Sequence, residues 1–307
     1  MTVLEAIQKS ADFLGKKNVE SARLNAELLL AHVLKLPRMK LYLNFERVLT
    51  PAETDGLREL VKRRGNREPL QHIVGSTSFC GCEIAVNRHA LVPRPETELL
   101  VELGWKFLHG RVGGPPSGER RAGDCAPYQA LDFGTGTGCI AIALAVKCPE
   151  ARVSALDVSA EAIALAKQNA EANKVSERIE FVQGDGFAVF DLGTATRRPS
   201  QFDLIISNPP YIASADIETL QPEVRDFDPR MALDGGTDGL DFYRRLAGGG
   251  KSFLKPDGKI MVEFGDGQAE AIKSIFESEK WIVEAVQEDY SHRARFLVAK
   301  SSSFSSS

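Results

Sequence analysis

Leu131–Ala145 reads LDFGTGTGCIAIALA. Three pieces follow one another in it: a short apolar strand, a glycine-rich turn, and an apolar helix. Gly134, Gly136 and Gly138 permit positive φ and let the backbone approach a ligand closely. The helix that starts after them presents N–H groups without intrahelical partners. Such a unit opens an α/β sheet in which ligands bind beyond the carboxyl ends of the strands. The spacing is G-x-G-x-G, without the G-x-x-G helix entry used for the pyrophosphate of NAD, and no Lys follows as it would in an ATP-type loop. Asp132, at the strand end, offers a carboxylate that suits an ammonium group.

Outward from this stretch, apolar runs alternate with helical patterns. The runs are Ala130–Phe133, Val153–Leu156, Ile179–Val182, Phe202–Ile206, Ile260–Phe264, Trp281–Val286 and Arg295–Ala299. Strands interleaved with helices predict a mostly parallel α/β sheet of seven strands. Gln287–Ala294 is too short for a crossover helix, so the last two runs are expected to pair antiparallel. Before this region, residues 1–70 carry helical spacings, Leu4, Ile7, Ala11, Leu14 and then Leu24, Leu28, Ala31, Leu34. Thr50 reads as an N-cap with Pro51 at the first helical position. Residues 71–92 turn to β-branched and aromatic residues in short alternation, which reads as a β-hairpin connector. The domains expected are therefore 1–70 helical, 71–92 connector, 93–300 α/β, and a Ser-rich disordered tail at 301–307. Gly110–Pro127 reads as a loop.

Two further strand ends carry acids. Asp157 closes VSALD, about 20 residues after the glycines, where a carboxylate can accept both hydroxyls of a ribose. Asp185, with Gly186, follows the third strand in FVQGDGF, placed to read an adenine edge. A ribose, an adenine and an ammonium-bearing tail without a phosphate clamp describe S-adenosylmethionine. The pattern resembles the class I, Rossmann-like methyltransferase fold.

The fourth strand ends in IISNPPYI, Ile205–Ile212. Pro209 and Pro210 lack N–H groups and have fixed φ, which stiffens this corner, and Asn208 before a proline is driven to an extended backbone. The carboxamide oxygen of Asn208 and the carbonyl of Pro209 can accept the two hydrogens of one –NH₂. Holding a planar amine or amide in this way favours positive charge on its nitrogen as it attacks a methyl group. Tyr211 offers a flat face for stacking. The tetrapeptide serves adenine, cytosine and glutamine nitrogens alike, so by itself it does not choose among them.

The whole chain narrows the choice. ALVPRPETELLVE (Ala90–Glu102), the glycine turn, NPPYI and DPRMALDGGTDGLDFYRRL (Asp228–Leu246) together resemble the HemK/PrmC family, the protein-(glutamine-N5) methyltransferases of peptide chain release factors. The resemblance implies methyl transfer from S-adenosylmethionine to the glutamine of a Gly-Gly-Gln motif. It implies that Gly134, Thr135, Gly136, Thr137 and Gly138 surround the methionine part of the cofactor and that Asp157 holds the ribose. Asp185–Gly186 would lie by the adenine, and Asn208, Pro209, Pro210 and Tyr211 would grip the glutamine, with Asn208 also beside the cofactor. PRPETE would cover the cofactor. Gly186 stands where some relatives carry an aromatic residue, which leaves adenine stacking to Phe187 or removes it.

Bulk properties agree. The 307 residues carry a formal net charge of −4 with a pI near 5.9, which argues against wrapping nucleic acid by bulk electrostatics. Arg58, Lys62, Arg63, Arg64 and Arg67 read either as a solvated helix face or as a contact for an acidic partner or RNA. Five cysteines, an odd number without a C-x-x-C pair, point to neither a disulfide framework nor a metal site, and they fit a reducing cytoplasm. Neither a membrane span nor a signal peptide is read in the sequence.

Overall fold

Capping chemistry sets the first helices. Thr2 and Glu5 bond each other's backbone N–H groups at the start of α1 (Val3–Lys16). Thr50 and Glu53 do the same ahead of α4 (Pro51–Gly65), where Pro51 loses no helical hydrogen bond. The computed structural model describes residues 1–113, 128–191 and 201–301. They group into two units, Met1–Ser76 with Leu220–Phe227, and Thr77–Thr219 with Asp228–Ser307.

The first unit contains α1, α2 (Ala22–Leu34), α3 (Arg38–Leu41), α4 and α5 (Leu70–Val74) around Ile7, Leu14, Leu29, Leu30 and Leu41. The buried stripe of α2 is Ala26, Leu29, Leu30 and the expected Ala31, without the expected Leu24 and Leu28; Leu24 is 41% exposed. Burying Glu27 on the same face explains the shift, since its carboxylate takes Arg23, Arg38 and the Tyr42 hydroxyl as partners. The basic run of α4 is largely occupied within the unit. Arg63 pairs with Glu68, and buried Arg64 and partly buried Arg67 both reach Glu223. These ion pairs correct the expected domain limits, because they hold Leu220–Phe227, read as part of 93–300, in the helical unit.

From Thr77 the second unit takes in a hairpin, β1 (Ser76–Phe79, its first residue still in the first unit) and β2 (Cys82–Ala85), then α6 (Pro95–Gly113), which continues past the expected loop start at Gly110. In order follow β3 (Tyr128–Phe133), α7 (Cys139–Lys147), β4 (Ala151–Asp157), α8 (Ala160–Ala172), β5 (Ile179–Gln183), α9 (Ala188–Asp191) and β6 (Phe202–Ser207). After α10 (Pro222–Arg225), which lies in the first unit, come α11 (Asp241–Gly249), β7 (Leu254–Glu263), α12 (Ala269–Ser278), β8 (Trp281–Glu288) and β9 (Ala294–Ser301). Residues 114–127 of the expected loop and 302–307 of the expected tail lie outside the described residues.

The seven-stranded sheet has the order β5-β4-β3-β6-β7-β9-β8. The first five strands are parallel neighbours, and β9 pairs antiparallel with both β7 and β8. Alternate residues feed two cores. Ala130, Leu204, Ile206 and Met261 meet α6 and α7 on one face; Leu131, Ile205, Ile260 and Val262 meet Tyr243 and Leu246 of α11 and Ile272 and Phe276 of α12 on the other. This is the class I methyltransferase fold. No helix among the described residues is long and apolar enough to cross a membrane.

Candidate functional site

After β3 the chain steps outward through β4 and β5, then returns to place β6 on the other side of β3. The carboxyl ends of β3 and β6 therefore diverge in connection and leave a crevice, the usual ligand position in such sheets. Ser207 ties the two ends together, its hydroxyl donating to the Phe133 carbonyl at 2.6 Å.

At the β3 end, Gly134, Gly136 and Gly138 have φ of +79°, +54° and +81°. The turn is pinned to β4: the N–H groups of Gly134 and Thr135 donate to the Leu156 carbonyl at 2.9 and 2.8 Å. A Cβ on Gly138 would lie 2.9 Å from that of Ala166 in α8, so position 138 is closed to any side chain. Asp157 joins the turn from the end of β4, accepting the Gly136 N–H at 2.8 Å and the Ser159 N–H at 2.9 Å.

Gly134, Thr135, Gly136, Thr137, Asp157, Asp185, Gly186, Asn208 and Pro210 line one cavity. Gly138, Pro209 and Tyr211 do not line it. Pro209 is buried, and Tyr211 packs into the core with its ring against Gly265, its phenol pushed up by burial. Asp132 does not reach the cavity either, which corrects its expected role beside an ammonium group. Its Oδ2 accepts the Thr135 hydroxyl at 2.6 Å and the Ala141 N–H at 3.1 Å; its Oδ1 is buried without a partner. Burial pushes this carboxyl up to about 7 despite those hydrogen bonds.

Phe187 is likewise turned away. It packs against Phe133 and Phe253 at 5.0 Å between centroids, in the core. The phenylalanine rings on the cavity wall are Phe133 of β3 and Phe242 of α11, neither of which the sequence reading had placed there. Gly186, at φ +80°, leaves room for Arg245, whose guanidinium pairs with Asp185 and would lie 2.8 Å from a Cβ there. That contact is a physical reason for glycine where an aromatic residue is otherwise met.

Two segments complete the walls. His89–Thr97 contributes Ala90, Leu91, Arg94 and Thr97, and Pro229–Phe242 contributes Met231 and Ala232. Arg94 and Asp228 join them at 2.8 Å. The second segment also docks on NPPY: Ile212 N–H donates to the Leu233 carbonyl and Gly235 N–H to the Ile212 carbonyl. A Cβ on Gly235 would meet the Pro210 carbonyl at 2.9 Å. The glycines of ALDGGTDGL thus allow backbone to lie on backbone, a signal open to a reader of the sequence who asks what they approach.

The donor set fits S-adenosylmethionine. The glycine turn leaves open space at Gly134, and acids stand at the second and third strand ends. Among the described residues, the one arginine on the wall, Arg94, is already paired with Asp228. A pyrophosphate would meet two carboxylates here, whereas ribose hydroxyls find acceptors.

Comparison with known proteins gives the same picture. The family described as the PrmC N-terminal domain matches residues 5–75, and the methyltransferase small domain matches residues 124–223. A release factor glutamine methyltransferase of Geobacter sulfurreducens is 44% identical over 275 residues, which cover 90% of this chain and 88% of that one. One of Chlorobaculum tepidum is 40% identical over 297 residues, covering 96% of each. Among solved structures, the human METTL16 catalytic domain in complex with a 3′UTR hairpin superposes with a TM-score of 0.51 at 15% identity, over 82% of each chain, a likeness of fold alone.

Proposed function

The chain belongs to the release factor glutamine methyltransferase family, and we propose that it transfers a methyl group from S-adenosylmethionine to N5 of the glutamine in the Gly-Gly-Gln motif of peptide chain release factors. The observation that carries the chemistry is the shared cavity, in which Asn208 and Pro210 face the same space as the glycine turn and Asp157.

When bound, S-adenosylmethionine supplies a methyl carbon made electrophilic by sulfonium. Gly134, Thr135, Gly136 and Thr137 would surround its methionine part, Asp157 would hold the ribose hydroxyls, and Asp185–Gly186 would lie by the adenine with Phe242. Asn208 Oδ1 and the Pro209 carbonyl each accept one hydrogen of the substrate –NH₂. An amide nitrogen is a weak nucleophile because its lone pair is delocalised. Two fixed acceptors stabilise the charge it gains and hold it in line. The ring of Pro209 and the side chain of Tyr211 act from behind, as a buried corner that prevents the acceptors from turning. Ala90, Leu91, Ile140 and Phe242 keep the wall apolar, which strengthens the remaining polar contacts. The helical unit supports recognition of the release factor, and the cytoplasm, where translation ends, is the compartment this reading assigns.

The test is mass spectrometry of a release factor after incubation with the protein and S-adenosylmethionine, with Asn208→Ala beside it. A 14 Da gain on the Gly-Gly-Gln glutamine is expected (about one CH₂), with cofactor binding kept and transfer lost in the variant. Methylation of DNA instead of release factor, or an unaffected variant, overturns the reading.

A further inference from the structure

Three side chains far apart in sequence form a hydrogen-bonded line whose order neither capping nor packing explains. From sequence, Thr97 reads as part of a capped helix start. Its N–H does bond the Arg94 carbonyl at 3.1 Å. Its hydroxyl, however, donates to Glu263 Oε2 on β7 at 2.7 Å and accepts from Asn208 Nδ2 at 3.0 Å. Thr97 and Glu263 are each 2% exposed.

Counting hydrogens sets the directions. An ionised carboxylate only accepts, so the single hydroxyl hydrogen of Thr97 points at Glu263. Thr97 Oγ1 then has only lone pairs left for Asn208, and Asn208 must present its nitrogen. Its carboxamide oxygen is thereby turned from Thr97 toward the cavity that Asn208 lines.

We propose that Glu263 and Thr97 are positioning residues that lock the Asn208 carboxamide so that it offers an oxygen, and not an –NH₂, to the incoming amide. The proposal rests on the functional reading above and deepens it. A substrate –NH₂ presents two donors, so an Asn208 turned by 180° would set donor against donor and lose the hydrogen bond that orients the attack. Thr97 and Glu263 decide between the two rotamers without touching the reacting atoms.

The lock has a condition. A neutral Glu263 can donate to Thr97, which frees the Thr97 hydrogen for Asn208 Oδ1 and permits the turned rotamer. Burial pushes the Glu263 carboxyl up to about 7, opposed by Thr97, Arg295 and Arg94 and reinforced by Glu96. The other titratable groups facing it are the phenols of Tyr211 and Tyr243. Tyr243 also donates to the Glu263 carbonyl at 2.8 Å, fixing its backbone.

The full-length protein, purified release factor and S-adenosylmethionine test this directly. Thr97→Val should lower kcat about tenfold to a hundredfold and leave the cofactor Kd within about twofold, whereas Thr97→Ser should restore kcat. Glu263→Gln, nearly isosteric, should lower kcat in the same way, and its kcat should fall less steeply below pH 7 than that of the wild type. Thermal unfolding of each variant confirms that it is folded. If folded Thr97→Val and Glu263→Gln turn over at the wild-type rate, the lock is wrong while the function stands. If Thr97→Ser is as slow as Thr97→Val, the hydroxyl is not the operative group and the proposal fails. A wild type that transfers no methyl to release factor overturns the functional reading and this one with it.

Discussion

Replacing Asp132 with Asn should change how the stability of the second unit depends on pH, in a direction the structure sets. Asp132 is fully buried under the glycine turn, with Oδ2 doubly bonded and Oδ1 without a partner. Its carboxyl moves from an ordinary 3.8 to about 7 on folding, chiefly through burial. Between those values the folded state binds a proton that the unfolded chain has released. The stabilisation from this group is therefore full below about 3.8, fades as pH rises, and is gone above about 7. At about 1.4 kcal/mol per pH unit the interval amounts to about 4 kcal/mol at most. Asn does not titrate. It keeps an oxygen for Thr135 and Ala141 but buries an –NH₂ in place of the orphaned oxygen, at a cost of about 1–3 kcal/mol at every pH. The variant should then be less stable than the wild type near pH 4.5 and equal to it or more stable near pH 8. Urea unfolding followed by tryptophan fluorescence is the suitable assay, because Trp105 and Trp281 both lie in the second unit. A stability gap that stays constant from pH 4.5 to 8 would refute the reasoning.

Other outcomes follow from single contacts. Gly138→Ala forces a Cβ to 2.9 Å from Ala166 at φ +81°; left-handed backbone and overpacking together should cost about 2–5 kcal/mol, read as a lower urea midpoint, and an unchanged midpoint would show that α8 yields freely. Glu223→Ala removes the acceptor of both Arg64, which is 6% exposed, and Arg67. Leaving a buried guanidinium without its carboxylate should destabilise the first unit by about 3 kcal/mol, and proteolysis should then cut within 220–227 sooner than in the wild type; equal cleavage rates would mean that these ion pairs do not hold the segment.

Much of the sheet was legible because strand and helix periods differ. The expected run Ala130–Phe133 lies in Tyr128–Phe133, Val153–Leu156 in Ala151–Asp157, and Phe202–Ile206 in Phe202–Ser207. The short interval 287–294 implied the antiparallel pair β8–β9, because a crossover needs more chain than it contains. The stripe of α2 was misread, since consecutive leucines at 28–30 allow two faces and only the partners of Glu27 select one. The choice left open at Phe187 has a related cause: an aromatic residue beside a site suits the core as well as the ligand, and its contacts with Phe133 and Phe253 place it in the core.

Local covalent chemistry therefore set what depends on neighbours along the chain: the positive-φ turn of Gly134–Gly138, the stiff corner of Asn208–Pro210, the capped starts of α1 and α4. Spacing placed these at strand ends. Which atom of Asn208 meets Thr97 and why Glu223 belongs with α4 depend on groups more than a hundred residues away, and Asp132, whose hydrogen-bond partners Thr135 and Ala141 are near in sequence, is kept from the cavity by the way the glycine turn buries it. Hydrogen-bond direction and burial are properties of the assembled surroundings, and no window of sequence contains them.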